Sequence, residues 1–82
     1  MLQVKNNAYG SLSVAILSTD TSLTLNSGEG ARFPSTTPFH ISIINEILEV
    51  TAIATDTFTV TRGVEGTTAV AYSASEYVQL NA

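Results

Sequence analysis

The chain has 82 residues, 44% hydrophobic and 12% charged, with three Lys or Arg against seven Asp or Glu and a formal net charge of −4. That length supports one small domain, which buries roughly 60% of the surface its unfolded form exposes. A core of that size leaves a stability margin of about 3–5 kcal/mol. The absence of cysteine excludes disulfide staples and thiolate metal sites and fits synthesis in a reducing compartment. Well-formed turns and self-association remain as ways to stabilise the domain.

An acidic, cation-poor chain argues against nucleic acid as a partner, because affinity for phosphate backbones comes from neutralising their charge. No stretch approaches the roughly 20 apolar residues that cross a bilayer, and the Met1–Val4 run is too short for a signal peptide. The polar residues are mostly Ser, Thr, Asn and Gln. A surface of that kind suits a stable protein contact, since few ions have to be desolvated.

Residues 1–10 read as an N-terminal arm, with turn formers at Asn6, Asn7 and Gly10 and apolar anchors at Leu2, Val4 and Tyr9. Residues 11–82 read as a single β domain. Alternation of Leu12, Val14 and Ile16 with small residues predicts a strand over 11–17 rather than two helical turns. A Ser/Thr/Asp cluster at 18–22 is a turn, and Leu23 and Leu25 restart the alternation before a second turn at Asn26–Gly30. Arg32–Pro38 is a loop fixed by two prolines, with Phe33 and Pro34 expected to plug it into the core.

Phe39, Ile41 and Ile43 face inward from the next strand, and Ile44–Glu46 is a tight reversal with Glu46 as a turn residue. The return strand over 47–53 alternates imperfectly: Ile47 and Ile53 share a face with Glu49 and Thr51. Such a strand is expected to be covered on both faces or to lie partly against a partner. After a reversal at 54–57, Thr57–Thr61 alternates threonine with Phe58 and Val60, and Arg62–Thr68 reads as a turn shaped by Gly63 and Gly66. Ala69–Ser75 is a helical turn or an irregular crossing, and Glu76–Leu80 is a last short strand. Five to seven short, mostly antiparallel strands with frequent turn signals define an all-β fold, a small barrel or sandwich.

Reactive constellations are scarce. His40 is the one histidine and sits on the outward face of its strand. No Gly-x-Ser-x-Gly elbow accompanies it, and the two glycine pairs lack the helix and lysine of a phosphate loop. The carboxylates lack the dense spacing of a calcium loop. Neither a catalytic residue nor a cofactor or metal is therefore expected. Glu49, if half-buried, needs a cation. With three basic residues in the chain, Arg62 is the expected partner of Glu49 or Glu65, which makes the turn an electrostatic latch as well as a bend.

Read in order, Asn7-Ala8, Thr21-Ser22-Leu23, Gly28-x-Gly30, Phe33-Pro34, Pro38-Phe39, Asn45-Glu46-Ile47, Val50-Thr51-Ala52 and Thr59-Val60-x-Arg62-Gly63-x-Glu65-Gly66-Thr67 resemble small structural modules of tailed bacteriophages. The resemblance spans about Asn7 to Val78 and is most specific over Thr59–Thr67. The pattern often has a glycine shortly before the last strand, where this chain has Ser75. The resemblance implies a compact β-barrel-like fold, a place in the virion and no catalytic residue. Because the chain begins with Met1 and ends just past the last strand, a capsid decoration or cement protein is the first expectation.

The expected partners are the major capsid protein and, next, tail proteins, with self-association as a homo-oligomer. A trimer is favoured by analogy with the three-fold junctions of shells. Leu2, Val4, Tyr9 and Tyr77 are the expected contact residues. A tail, baseplate or fibre-anchoring module is the alternative. A host-glycan binder using Tyr72 or Tyr77 beside Glu76 is a third reading.

Overall fold

The computed structural model describes residues 8–81. It is an all-β half-barrel: one curled sheet of six antiparallel strands in the order β1-β6-β3-β4-β5-β2. In chain order these are β1 (Tyr9–Ser11), β2 (Ser22–Thr24), β3 (Phe39–Ile43), β4 (Glu46–Ala54), β5 (Thr57–Val64) and β6 (Tyr77–Leu80), with one 3-10 turn at Glu29–Arg32. Just beyond the two edge strands, Leu12 and Leu25 form an antiparallel bridge, so the sheet curls far enough for its ends to touch.

The inward face carries the core. Phe39, Ile41 and Ile43 of β3, Leu48 and Val50 of β4, Phe58 and Val60 of β5, and Val78 of β6 are all buried. Phe33 fills the open side: its ring stacks on Phe39 at 6.3 Å and meets Phe58 edge-on at 5.3 Å. Pro34 beside it is also buried, so the proline loop is pinned as the sequence predicts. The four-residue 3-10 turn just before Phe33 is absent from the sequence expectation, because two glycines flanking a glutamate read as a plain turn.

Three strand expectations change. The sheet begins at Tyr9 rather than after residue 10, since Tyr9–Ser11 pairs with β6. Residues 11–17 are not one strand. The Ser13 N–H and hydroxyl both donate to the Thr24 carbonyl, the chain bends, and Ile16 then bridges Tyr72. Leu12 and Ile16 are thus buried under different neighbours, while Val14 between them is exposed. Finally, β5 runs through Arg62 and Gly63 to Val64, so the reversal is confined to Glu65 and Gly66.

Register shifts explain the imperfect alternation of β4. Val50 pairs with Val60 but Ala52 with Thr59, so Thr51 is an extra residue that flips the strand's faces. Before it, Glu46, Leu48 and Val50 point inward; after it, Ile53 packs on the core. A bulge accounts for the pattern without a second covering layer or a partner.

A second shift places Ile47 opposite Val64 and Glu49 opposite Thr61, which leaves the extra residue on β5 at Arg62–Gly63. Gly63 has φ +58°, and a β-carbon there would lie 2.9 Å from the Thr67 carbonyl oxygen. Only glycine fits both the angle and the space.

Truncation of Phe33 to Ala is expected to destabilise the domain by about 3–5 kcal/mol, which at this size abolishes the folded baseline in a thermal melt. Ser75 has φ +75° and occupies the third position of a turn closed by the Glu76 N–H donating to the Ser73 carbonyl. A type II turn of this shape favours glycine at that position. Ser75→Gly is expected to add about 0.5–1 kcal/mol after the extra chain entropy of glycine is subtracted, read as a higher unfolding temperature.

Candidate functional site

The Glu46 carboxylate lies at the centre of the densest side-chain hydrogen-bond network among the described residues. It is the first residue of β4, directly after the two-residue reversal Ile44–Asn45, and its backbone pairs with Ile43. The inward phase it shares with Leu48 and Val50 leaves it 1% exposed. A buried carboxylate needs partners on every lone pair, and here it has them. Arg62 Nε donates to Oε2 at 2.8 Å and Arg62 Nη2 to Oε1 at 3.0 Å, the two-pronged geometry that a guanidinium and a carboxylate share. The Gly63 N–H donates to Oε2 at 3.0 Å and the Val70 N–H to Oε1 at 3.3 Å. The Tyr72 hydroxyl lies 2.9 Å from Oε1 and 3.0 Å from the Ile43 carbonyl, sharing its proton between them.

Arg62 is equally saturated. Its Nη1 donates to the carbonyls of Leu17 at 2.7 Å and Asp20 at 2.8 Å, and its Nη2 also reaches the carbonyl of Val70 at 2.7 Å. All five guanidinium N–H groups therefore have acceptors. Arg62 faces inward by the same period-two alternation as Phe58 and Val60, and the bulge at Gly63 lets the next N–H point at the same carboxylate. One ion pair thus ties together β4, β5, the 17–20 segment and the 69–72 segment.

The latch exists, but with a different acid from the one expected. Glu49 is across β3 from His40, with His40 Nε2 3.8 Å from Glu49 Oε2, and it is not bonded to Arg62. The β4 register places its side chain on the outer face, away from the guanidinium. Glu65 sits at the tip of the Val64–Thr67 reversal, exposed, with φ +58° beside Gly66 at +80°. Glu46, read from sequence as a turn residue, is the true partner. The available signal was its period-two phase with Leu48 and Val50. What obscured it was the hairpin, in which the reversal takes only two residues.

Burial raises the Glu46 pKa, but the hydrogen bonds from Arg62, Tyr72, Gly63 and Val70 outweigh it and hold the carboxyl below its ordinary value. Burial, followed by the bond to Glu46 and its charge, pushes the Tyr72 phenol well above its ordinary value of 10.0. Tyr72 is buried, so it offers no face for a sugar to stack on.

On the outer face, the strand register brings two expected contact residues together. Tyr9 and Tyr77 stack with ring centroids 5.7 Å apart, and both are substantially exposed. The Arg32 guanidinium lies 5.0 Å from the Tyr9 ring centroid and reaches the Tyr9 carbonyl. Leu2 and Val4, the other two expected contacts, lie outside the described residues.

Beside the latch is an open cavity of about 580 Å³ bordered by Ile44, Thr67, Val70, Ser73 and Glu76. Among the described residues, no cluster of three or more His, Asp or Glu side chains could hold a metal ion. No helix among them is long and apolar enough to cross a membrane. No protein family matches this sequence, and no curated protein matches it either.

Breaking the buried pair by Glu46→Gln or Arg62→Met is expected to destabilise by about 3–5 kcal/mol. In double-mutant cycles Glu46 and Arg62 should couple strongly, whereas Glu49→Gln and Arg62→Gln should act additively. Because the folded carboxyl of Glu46 titrates below its unfolded value of 4.5, its contribution is complete above that pH. It is lost as pH falls through the folded value. The Tyr72 contribution is complete below its ordinary 10.0 and is lost as pH rises beyond it. Thermal melts across pH should show the acid loss in the native chain and a flattened acid limb in Glu46→Gln.

Proposed function

We propose that this protein is a structural component of a bacteriophage virion, acting as a decoration or cement protein on the head shell. In this role it adds protein contact area across junctions between shell subunits and holds them against internal pressure. The proposal includes self-association, with a trimer as the form that fits a three-fold junction.

The observation that carries it is the stack of Arg32, Tyr9 and Tyr77 on the outer face of β1 and β6. Arginine and tyrosine dominate the energetic centres of protein interfaces, and a pre-stacked set loses little side-chain freedom on docking. The resemblance of Thr59–Thr67 to phage structural modules supports the same reading. That motif builds the Arg62 latch, so its place in the molecule is internal and the contact surface lies elsewhere. No catalytic role is proposed, since the most buried polar groups of the fold are all bonded to one another.

Quantitative mass spectrometry of purified particles tests the reading. A copy number comparable to that of the shell subunits is expected; a far smaller number places the protein on the tail, and absence overturns the proposal. The double variant Tyr9→Ala/Tyr77→Ala should bind undecorated heads at least about 30-fold more weakly, the effect of losing a pair of central interface aromatics. Unchanged binding would move the contact to another face.

A further inference from the structure

The polar side chains around the cavity beside the latch divide into two sets. Glu46 and Tyr72 are bonded to each other within the latch. The Thr67 hydroxyl lies between the Val64 and Ile47 carbonyls and accepts the Ile47 N–H. These groups are spent on holding the fold. Asn45, Thr68, Ser73 and Glu76 border the same cavity, yet none of their side chains bonds to another described residue.

The apolar part of the lining is Ile44 and Val70, both exposed. Val14 and Leu17 are exposed apolar residues too, but neither borders this concavity. What sets Ile44 and Val70 apart is the company of uncommitted polar groups. An apolar wall with a few unbonded polar side chains, around a space of about 580 Å³, has the make-up and size of a site that takes one small group.

Charge decides which group. The Glu46 carboxylate is balanced by Arg62, buried with it, and Arg32 is paired with Glu29. Glu76 on the wall and Glu65, next to the lining residue Gly66, make no ion pair among the described residues. The cavity is left with uncompensated negative charge, which favours a cationic occupant. A guanidinium gains from an aromatic face to stack on, and the aromatic residue of the lining, Tyr72, is buried. An ammonium needs only acceptors at its tip, and an alkyl stem needs only an apolar wall. The two together are a lysine side chain.

We propose that this cavity receives a lysine side chain presented by another protein. The stem lies against Ile44 and Val70, and the ammonium meets the Glu76 carboxylate, with the Thr68 and Ser73 hydroxyls as further acceptors. This contact is separate from the Arg32, Tyr9 and Tyr77 face, and it stands apart from the virion assignment. The chain is a poor source of its own ligand, since Lys5 is its one lysine.

Titration of the isotope-labelled full chain with Nα-acetyl-lysine N-methylamide, followed by amide NMR shifts, tests the proposal. Saturable shifts are expected at residues 44–45, 68–73 and 76. The neutral norleucine analogue should bind about fivefold more weakly, the upper effect of one exposed ion pair. Glu76→Gln should remove that difference while leaving the norleucine affinity and the thermal melt unchanged, an outcome that misfolding cannot produce. Val70→Ser should weaken both probes. Shifts scattered over the surface, or equal affinity of the two probes for the native chain, overturn the proposal.

Two further arms address the source of the lysine. Butylamine binding more than tenfold more tightly than the capped lysine would make a free amine the occupant. Saturation seen only in Lys5→Gln would make the occupant the lysine of this chain itself. Either result overturns another protein as the source.

Discussion

The fold depends on one buried ion pair. Glu46 and Arg62 are removed from water together, and the desolvation of two charges is large enough that a buried pair is often no more stabilising than an apolar replacement. What distinguishes this pair is the number of backbone groups it engages. Three carbonyls from two irregular segments terminate on the guanidinium, and two backbone N–H groups terminate on the carboxylate. In a domain too small for a deep apolar core, these segments have few side chains to pin them, and the pair supplies the orientation that packing alone does not. Lysine could not substitute, since a compact ammonium lacks both the planar fork and the five donors.

The same logic governs the turns. Ile44, Thr55 and Ser75 all take positive φ, although none is a residue that prefers it. Cross-strand pairing forces the angle in the first two cases, because two-residue reversals must join β3 to β4 and β4 to β5. Around Ser75 the forcing element is the bond from its own N–H to the Leu12 carbonyl, 2.7 Å long. Local preference loses to long-range hydrogen bonding at each point. The Glu65–Gly66 reversal has glycine at its second position, while Glu65 at its first also takes φ +58°.

The regular elements were legible in the sequence because period-two alternation records burial directly. Phe39–Ile43 is the clearest instance, matching β3 residue for residue. The failures have physical causes. Bulges break the alternation without leaving a compositional mark, so the flip at Thr51 read as a mixed surface and the extra residue at Gly63 read as the start of a turn. The 11–17 segment alternates as a strand does, yet Ser13 bends it by bonding to Thr24. Arg62 was found as the inward cation by its scarcity, but scarcity does not say which carboxylate faces it. That required the register of β4 on β5.

The bonds from Arg62 to Leu17 and Asp20 join residues 45 and 42 positions apart. During synthesis, the 17–20 segment leaves the ribosome long before the side chain that fixes it exists. Leu12 likewise waits for Ser75 and Glu76, and Ala8 for Leu80. Apart from the Leu12–Leu25 bridge and the Ser13–Thr24 bonds, the N-terminal segment finds its sheet partners in β5 and β6, far along the chain. Contacts this distant in sequence slow the search for the native state. Until those partners meet, Leu12, Ile16, Leu23 and Leu25, all buried in the folded domain, stay exposed to water.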